Sequence, residues 1–490
     1  MPGTGLTRRG SLRAALGAAG AIAAGSVLAA CGTSLATLTA AASRVITLTW
    51  QPWYRFPATD PNVTSSTLRA LMYEAIQEWL TTQGGINVQV LPPASSSATI
   101  ASMLAGNGPD VFWHLNLPLY LQQGLVLDLA PYVTRDRIDV GAFVPGQMDY
   151  LRAAGAPGAQ GALYALPATL RTLALAVYEG ALDALGLTYP EPGWTTTQWA
   201  ALWASATVRG AAQPPQAGGR FDWAGYDGWG GNPSAFYLKG FGGEYVSAAD
   251  PARSALTTAP SQDALQWCYG QILQGTCVGA SPLSVVNQVV SGQVVSGPIG
   301  TAGDLYDAAL AWNTLKWDLY AMPVFPQGSL TYASSDFYAV WAGTRVPDVA
   351  WALARYLCVG PDWQTKMIEM AMAGPNQPSL WGNWESLVRQ YASPLAKKNL
   401  GVYLDAVQGG GLYVGLPFRY AEQQVSRVLG GFASAVLGGQ LTVPAAAASA
   451  AAQIDALEAT GSGQAAAAAQ ALQALQKQAR AAGASSAAKG

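Results

Sequence analysis

The chain has 490 residues, a formal net charge of −2 and only 11% charged residues, against about 25% in an average soluble protein. With no basic block, this balance gives no indication of binding to nucleic acid or to an anionic membrane surface. One histidine and four cysteines, none in a CxxC pair, argue against a structural zinc site, so neither a metal nor a cofactor is expected. The 17 Trp and 21 Tyr outnumber the 10 Phe; most should form core, and a few suit a cleft for flat ligands.

Residues 1–31 have the pattern of a lipoprotein signal peptide. An arginine pair at 8–9 precedes an apolar stretch over 12–30, which ends in Leu-Ala-Ala immediately before Cys31. Small residues before a cysteine are typical of lipoprotein processing and lipidation of that cysteine, and the arginine pair is typical of twin-arginine export, with general secretion as the alternative. The alternative interpretation is an uncleaved anchor helix, although the apolar stretch is short for a membrane span. Both interpretations place the body outside the cytoplasm, tethered to the membrane through residues 32–43.

The next segments alternate between predicted strands and predicted helices. Residues 45–50 and 86–90 alternate β-branched and polar side chains, which is typical of strands. Between them, apolar residues over 68–80 recur at spacings of three and four, which predicts one apolar helix face. A second helix over about 97–105 and a short strand over 111–113 follow. This alternation predicts a parallel sheet covered by helices.

The rest of the chain continues with helices and a long apolar strand. Residues 173–178 predict a strand that follows a hinge-like segment at 166–169. Further helices are predicted over 196–206, 261–274, 283–292, 347–359 and 362–372. Cys268 and Cys277 either form a disulfide in an oxidising compartment or stay as buried free thiols, and both alternatives remain open. The Ala-, Gln- and Gly-rich segment 459–490 is predicted to be a low-complexity tail.

Several segments, in their order along the chain, resemble one known family. They are MLAGNGPDVFW (103–113), GLVLDL (124–129), GALYALP (161–167), LALAVY (173–178), WT (194–195), SGQVVSGP (291–298) and VAWALARYL (349–357). The first two are similar to the pattern AxGxxPDVF followed by GxLxDL, and the third to GKxYALP. Together they resemble the extracellular solute-binding proteins of family 1, the mostly carbohydrate-binding lipoproteins of ABC importers, over about residues 44–457.

The resemblance implies a fold, a division into lobes and a set of partners. The expected fold is α/β and two-lobed, the periplasmic-binding-protein-like fold of type II, with a mostly parallel, helix-covered sheet in each lobe and a cleft between the lobes. Residues 44–167 with 336–395 would form lobe 1, and 168–335 with 396–458 lobe 2. A monomer would capture a small-molecule solute, a sugar or oligosaccharide, by hinge closure, and present it to the transmembrane subunits of an ABC permease.

Position within the family pattern implies a set of ligand-binding residues. They are Trp53, Arg55, Trp113, His114, Asn116, Arg171, Trp229, Asn232, Asp304, Asp336, Arg419 and Tyr420. Trp113 is either a stacking platform in the cleft or part of the core, and His114 is either a hydroxyl donor or a simple loop histidine. Arg171 and Asp336 either contact solute or form a hinge salt bridge; a guanidinium binds a hydroxyl pair or a carboxylate with two hydrogen bonds.

The chain departs from the family pattern at two places, which keeps other functions open. Ile299 stands where the family usually has a tryptophan, and Tyr178-Glu179 stands where it has Tyr-Asn. The first change puts a standard oligosaccharide site in doubt and leaves room for a scaffold or sensor lipoprotein without ligand. A secreted glycoside hydrolase is the enzymatic alternative, but no stretch frames two acidic residues with strand-end aromatics as such sites need. Catalysis is therefore not expected.

Overall fold

The computed structural model describes residues 45–49, 76–83, 86–91, 96–114, 117–121, 123–144, 147–148, 151–152, 161–207, 219–220, 235–247, 249–250, 253–278, 294–301, 305, 308–309, 311–371, 374–409, 412–413 and 422–461. The strands are β1 (Val45–Thr49), β2 (Asn87–Leu91), β3 (Val111–His114), β4 (Leu166–Pro167), β5 (Arg171–Val177), β6 (Gly219–Arg220), β7 (Cys277–Val278), β8 (Ser296–Gly300), β9 (Asp318–Tyr320), β10 (Val324–Phe325), β11 (Gly328–Ser329), β12 (Thr331–Ser334), β13 (Phe337–Val340) and β14 (Leu412–Tyr413). The helices are α1 (76–81), α2 (Ser96–Leu104), α3 (Leu117–Leu121), α4 (Ala130–Arg135), α5 (Glu179–Leu185), α6 (Thr196–Ala206), α7 (Ala235–Gly240), α8 (Ala259–Leu273), α9 (Pro347–Val359), α10 (Pro361–Ala371), α11 (Trp381–Tyr391), α12 (Gly401–Gln408), α13 (Glu422–Leu437) and α14 (443–461).

The first sheet has the strand order β2-β1-β3-β13-β4. β1 pairs in parallel with β2 and with β3, so the predicted parallel core of this sheet is confirmed. β13 lies antiparallel between β3 and β4, although more than 150 residues separate it from either strand in sequence. β13, the last strand of the first sheet, therefore follows most strands of the second sheet in the sequence.

The second sheet has the order β14-β12-β5-β8, with β9 also paired to β5. β5 pairs antiparallel with β8, β9 and β12, and the pairing of β12 with β14 is parallel. The expectation of a mostly parallel sheet in each lobe is thus wrong for the second sheet over the described residues. The reason is the path of the chain: β5 runs away from the first sheet, whereas β12 runs back toward it and β8 and β9 share its direction.

The long helices begin and end where local signals place them. α6 has the predicted bounds 196–206, because the Thr195 side chain accepts from the Gln198 N–H and the Gln198 side chain accepts in return from the Thr195 N–H. α9 also has its predicted bounds and begins with Pro347 at its first position. The helix predicted over 283–292 lies outside the described residues. Among the residues described, none of the helices has both the length and the apolar character that a membrane crossing needs.

Three groups of buried side chains hold the described elements together. The first core surrounds the first sheet and includes Phe112, Ala168, Phe337, Trp351 and Trp363. The second core covers one face of the second sheet and includes Leu173, Leu175, Val177, Trp199 and Phe432. The third core covers its other face and includes Leu170, Ala174, Ile299, Ala333 and Trp381. Among the described residues, seven tryptophans are fully buried in these cores, namely Trp199, Trp203, Trp312, Trp351, Trp363, Trp381 and Trp384, so much of the unusual aromatic content is structural.

The Ala-rich helix α14 belongs to the folded body. Ala447, Ala450 and Ile454 are buried in the second core. The Asp455 carboxylate accepts from the Arg253 guanidinium at 3.0 Å and from the Ser254 N–H at 2.5 Å. The low-complexity tail expected from residue 459 lies outside the described residues from 462 onward.

The described cysteines are buried thiols. Within the described part of the chain, no disulfide joins Cys268, Cys277 or Cys358, so the disulfide alternative for Cys268 and Cys277 is wrong. Burial raises the pKa of the Cys268 and Cys358 thiols, which keeps both protonated and unreactive at neutral pH.

We expect these three thiols to resist an aromatic disulfide reagent while the protein is folded. A full-length Cys31→Ser variant should show no fast reaction at pH 8 and three reactive thiols per chain in guanidinium chloride. Rapid reaction of even one thiol in the native protein would contradict the observed burial.

One carboxylate joins α4 to α9. The Asp136 carboxylate accepts from Arg135 at 2.7 Å, from the Trp351 indole N–H at 2.6 Å and from Arg355 at 3.1 Å. Burial disfavours its charged form, but these donors outweigh burial and hold the pKa of Asp136 below its usual value.

Replacement of Asp136 with Asn should lower the stability by about 1–2 kcal/mol at pH 7. Because the pKa is lowered on folding, this contribution is present above the unfolded pKa of about 4 and is lost as pH falls through the folded value. Thermal unfolding of both proteins between pH 7 and pH 3 should therefore show melting temperatures that differ at pH 7 and draw closer as pH falls below about 4. A difference as large at pH 3 as at pH 7 would contradict the charge as its cause.

Candidate ligand-binding site

The candidate site lies where the chain passes between the two sheets. β4 ends at Pro167 in the first sheet and β5 begins at Arg171 in the second. β12 ends at Ser334 in the second sheet and β13 begins at Phe337 in the first. Two or three residues thus bridge the sheets at each passage, and strand ends from both sheets meet there. Such strand ends are the usual place for a ligand in open α/β sheets.

The first sheet brings Trp113 and His114 to this place. They are the last two residues of β3. His114 pairs with Phe337 of β13, and Trp113 pairs with Tyr338. The Trp113 side chain is half-buried and packs on the first core, whereas the preceding Phe112 is fully buried. Trp113 therefore has both a buried part and an exposed part, which combines the two alternatives that its sequence position left open.

Asp336 lies within the second passage and is only 9% exposed. The Thr169 hydroxyl donates to its carboxylate at 3.1 Å, and the Ala168 N–H donates to its backbone oxygen at 2.7 Å. These two bonds join the passages at 168–169 and 335–336. The carboxylate is thereby held in place before any solute arrives.

Arg171 begins β5 and stands opposite Ser334. Its half-buried side chain lies across the end of β8, where a Cβ on Gly300 would be 2.9 Å from Nη2 and closer still to Nε. A side chain at position 300 would thus displace the guanidinium. The glycine and the arginine together place a cationic group beside the passages.

Neither position where the chain departs from the family pattern presents its side chain to this place, although Ile299 precedes Gly300 in β8. Ile299 is 1% exposed within the third core, and its backbone oxygen accepts from the Tyr403 hydroxyl at 3.0 Å. Its side chain is therefore part of the core, and this position does not face a surface on which an aromatic ring could stack on solute. Glu179 follows β5 at the end opposite Arg171, about 20 Å along the strand, where its carboxylate accepts from the Tyr320 hydroxyl at 2.6 Å.

The structure brings together four of the residues predicted from the sequence: Trp113, His114, Arg171 and Asp336. For His114 it describes only the backbone. The other predicted positions lie outside the described residues; they are Cys31, Trp53, Arg55, Asn116, Trp229, Asn232, Asp304, Arg419 and Tyr420. In the part of the chain that is described, no three His, Cys, Asp or Glu side chains are grouped closely enough to hold a metal ion.

Sequence reasoning missed a set of buried polar side chains beside these residues. The Ser335 hydroxyl donates to the Thr169 backbone oxygen, and the Gln147 amide donates to the Ser335 hydroxyl. Asn376 donates to the Pro167 backbone oxygen at 2.6 Å. The Pro-Asn-Gln-Pro run at 375–378 is a turn signal that indicates a break between helices. It does not by itself indicate contact with a segment 200 residues earlier.

Comparison with known proteins identifies the family. Residues 63–365, more than half of the chain, match the model of the bacterial extracellular solute-binding proteins. The chain belongs to this family. It is a family of binding proteins rather than of enzymes. No curated protein matches the sequence.

Solved structures of solute-binding proteins are similar over most of the chain. The sugar-binding protein MalE of Xanthomonas citri has 16% sequence identity and a TM-score of 0.66, covering 85% of this chain and 98% of that one. The cyclic α-maltosyl-1,6-maltose binding protein of Arthrobacter globiformis has 17% identity and a TM-score of 0.63, covering 85% of this chain and 100% of that one. At these identities the likeness establishes the fold alone, which is the predicted two-lobed α/β fold of type II periplasmic binding proteins.

Proposed function

We propose that this solute-binding protein captures a carbohydrate between its two lobes and delivers it to the transmembrane subunits of an ABC importer. One observation carries the proposal: a half-exposed tryptophan, an arginine and a held carboxylate lie at the strand ends and passages where the two sheets join. An indole face packs well on the C–H face of a sugar ring, while guanidinium and carboxylate groups bind its hydroxyls. Trp113, Arg171 and Asp336 are the residues we assign to these roles.

The solved relatives support carbohydrate as the solute class. Their ligands include cycloalternan for a protein of Listeria monocytogenes and maltotriose for the MalE domain of Bdellovibrio bacteriovorus. The remaining predicted contacts, namely Trp53, Arg55, His114, Asn116, Trp229, Asn232, Asp304, Arg419 and Tyr420, are proposed to complete the site. The proposed lobes are those predicted from the sequence, apart from the segment after α10 that is treated below.

We also propose that the mature protein is a monomer held at the extracytoplasmic face of the cell membrane by lipid on Cys31. The signal pattern over residues 1–31 supports this, and several acyl chains on one cysteine would make the attachment stable. A tether at 32–43 keeps the receptor beside its transporter and leaves the lobes free to close. Expression of the natural chain and of a Cys31→Ser variant should place the first in the membrane fraction and release the second.

A thermal-shift panel tests the binding function. The full-length Cys31→Ser protein would be heated with maltotriose, mannobiose, tagatose and acarbose, and with amino acids and a short peptide as controls. A solute at a hundredfold excess over its Kd stabilises the native state by about 2.7 kcal/mol, so at least one sugar should raise the melting temperature. No shift with any compound would favour the scaffold or sensor alternative, and turnover of glycosidic substrates would favour the hydrolase.

A further inference from the structure

Along the two passages between the sheets, a thin polar layer lies between the first core and the third core. Along the first passage, Ala168 belongs to the first core and Leu170 to the third, and the buried Thr169 lies between them. Along the second passage, Ala333 belongs to the third core and Phe337 to the first, with the buried Ser335 and Asp336 between them. The apolar packing of the two lobes therefore stops at the same level in both passages.

A third stretch of chain lies in the same layer. The Leu170 N–H donates to the Gly374 backbone oxygen at 2.9 Å, and Thr169 pairs antiparallel with Pro375. Before this stretch, α10 packs mainly in the first core through Trp363 and Met367, with Ile368 reaching the third. After it, Trp381 of α11 packs in the third core. Residues 374–376 thus form a third connection between the lobes. The division predicted from the sequence assigned 336–395 to lobe 1, whereas α11 packs against the second sheet.

Two buried amides bind this connection to the first passage. The Asn376 amide donates to the Pro167 backbone oxygen at 2.6 Å, and the Gln364 amide donates to the Ala168 backbone oxygen at 2.8 Å. The Asn376 N–H donates in turn to the Gln364 side-chain oxygen at 3.4 Å. Asn376 is 0% and Gln364 4% exposed. Buried polar groups are costly unless they are paired, so these bonds resist any motion that would separate the amides from residues 167 and 168.

We propose that Gln364 and Asn376 are positioning residues of the hinge. They hold the third connection against residues 167 and 168, at the first-lobe end of the first passage. Closure then rotates the second lobe about residues 169–171 of the first passage and 334–335 of the second. Solute affinity then depends on two side chains that touch no solute. This inference rests on the proposed function, because it takes solute capture to be lobe closure.

Loss of either amide should make the ligand-free lobes less well ordered. The Pro167 or Ala168 oxygen would lose its buried donor, and the three connections would no longer move as one unit. Binding would then have to restrict a wider set of lobe arrangements, which weakens affinity through lost preorganisation. We expect the Kd for solute to rise about fivefold to tenfold in each variant.

Distance measurement between spin labels tests the assignment. Leu104 on α2 and Leu273 on α8 are 62% and 57% exposed and lie on different lobes. Both would be changed to cysteine and labelled in the full-length Cys31→Ser protein, whose other thiols are buried. The distance distribution without solute would be recorded for the parent protein and with Gln364→Leu or Asn376→Ala added; two variants guard against misfolding of one.

Gln262→Leu is the matched control. The half-buried Gln262 also donates its amide to a backbone oxygen, that of Leu256 at 2.7 Å, but both residues lie within the second lobe. All three variants should melt at lower temperature, whereas only Gln364→Leu and Asn376→Ala should broaden or shift the distance distribution. Distributions equal to that of Gln262→Leu would overturn the inference.

Maltotriose added to the parent protein separates this inference from the proposed function. A narrower distance distribution or a shorter mean distance between the labels with maltotriose, or with another sugar of the panel, supports closure on solute. If no sugar changes the distance, the proposed function fails. The comparison of ligand-free proteins still decides whether the two amides hold the hinge.

Discussion

Replacement of Trp113 with alanine should weaken carbohydrate binding by about 2 kcal/mol, which is roughly thirtyfold in Kd. The half-buried indole closes β3 beside the passages between the sheets, and its exposed part is the apolar surface that we assign to sugar stacking. Titration calorimetry with the sugar that gives the largest thermal shift measures the change. Because the buried part packs on the first core, a moderate loss of stability should accompany the loss of affinity.

Trp79→Ala is the control that separates these two effects. Trp79 is also half-buried on the first core, where its ring stacks on Tyr356 with centroids 5.3 Å apart. It lies in α1, away from the residues that join the sheets. Both variants should melt at lower temperature, and only Trp113→Ala should lose affinity. Equal Kd values for the two variants would remove Trp113 from the proposed site.

Replacement of Gly374 with alanine should destabilise the protein by about 3 kcal/mol or more. A Cβ at this position would lie 2.5 Å from the Trp381 ring and closer still to the Leu170 backbone oxygen. Neither neighbour can yield easily, since Trp381 is fully buried and donates to the Pro375 backbone oxygen at 2.9 Å. Urea unfolding followed by tryptophan fluorescence gives the free energy of unfolding.

Gly382→Ala provides the matched control for this substitution. Gly382 lies eight residues later in α11, and a Cβ there would have no heavy atom within 4 Å. Alanine in an open helical position should be neutral or stabilising by up to about 1 kcal/mol. If Gly374→Ala is as stable as Gly382→Ala, the close approach of the third connection to Leu170 is not present in solution.

Local elements were the most predictable part of the fold. The Thr195–Gln198 capping box and the proline at the start of α9 mark helix ends by interactions within four residues, and both helices have their predicted bounds. β1, β2 and β3 follow one another with helices between them, so their parallel pairing also follows from chain order. In these cases the information is contained in adjacent residues.

Long-range pairing was the least predictable part. The insertion of β13 beside β3 and the antiparallel partners of β5 depend on residues more than 100 positions apart. Ile299 illustrates the consequence for the site. Its place in the motif suggested that a stacking platform was missing from the ligand site, whereas the packing of the second sheet places this position in the third core.

The amino-acid sequence was sufficient for the family and for the helices with clear caps, because motifs and periodicity are properties of neighbouring residues. Trp113, Arg171 and Asp336 stay predicted contacts, which the fold places at the ends of strands and in the passages between the sheets. The folded chain alone decided which aromatic and polar side chains would be buried. Most described tryptophans pack in the cores, and Thr169, Ser335, Gln364 and Asn376 meet between two of them. The physical reason is that an amide and a carbonyl 200 residues apart become hydrogen-bond partners only when both cores have formed around them.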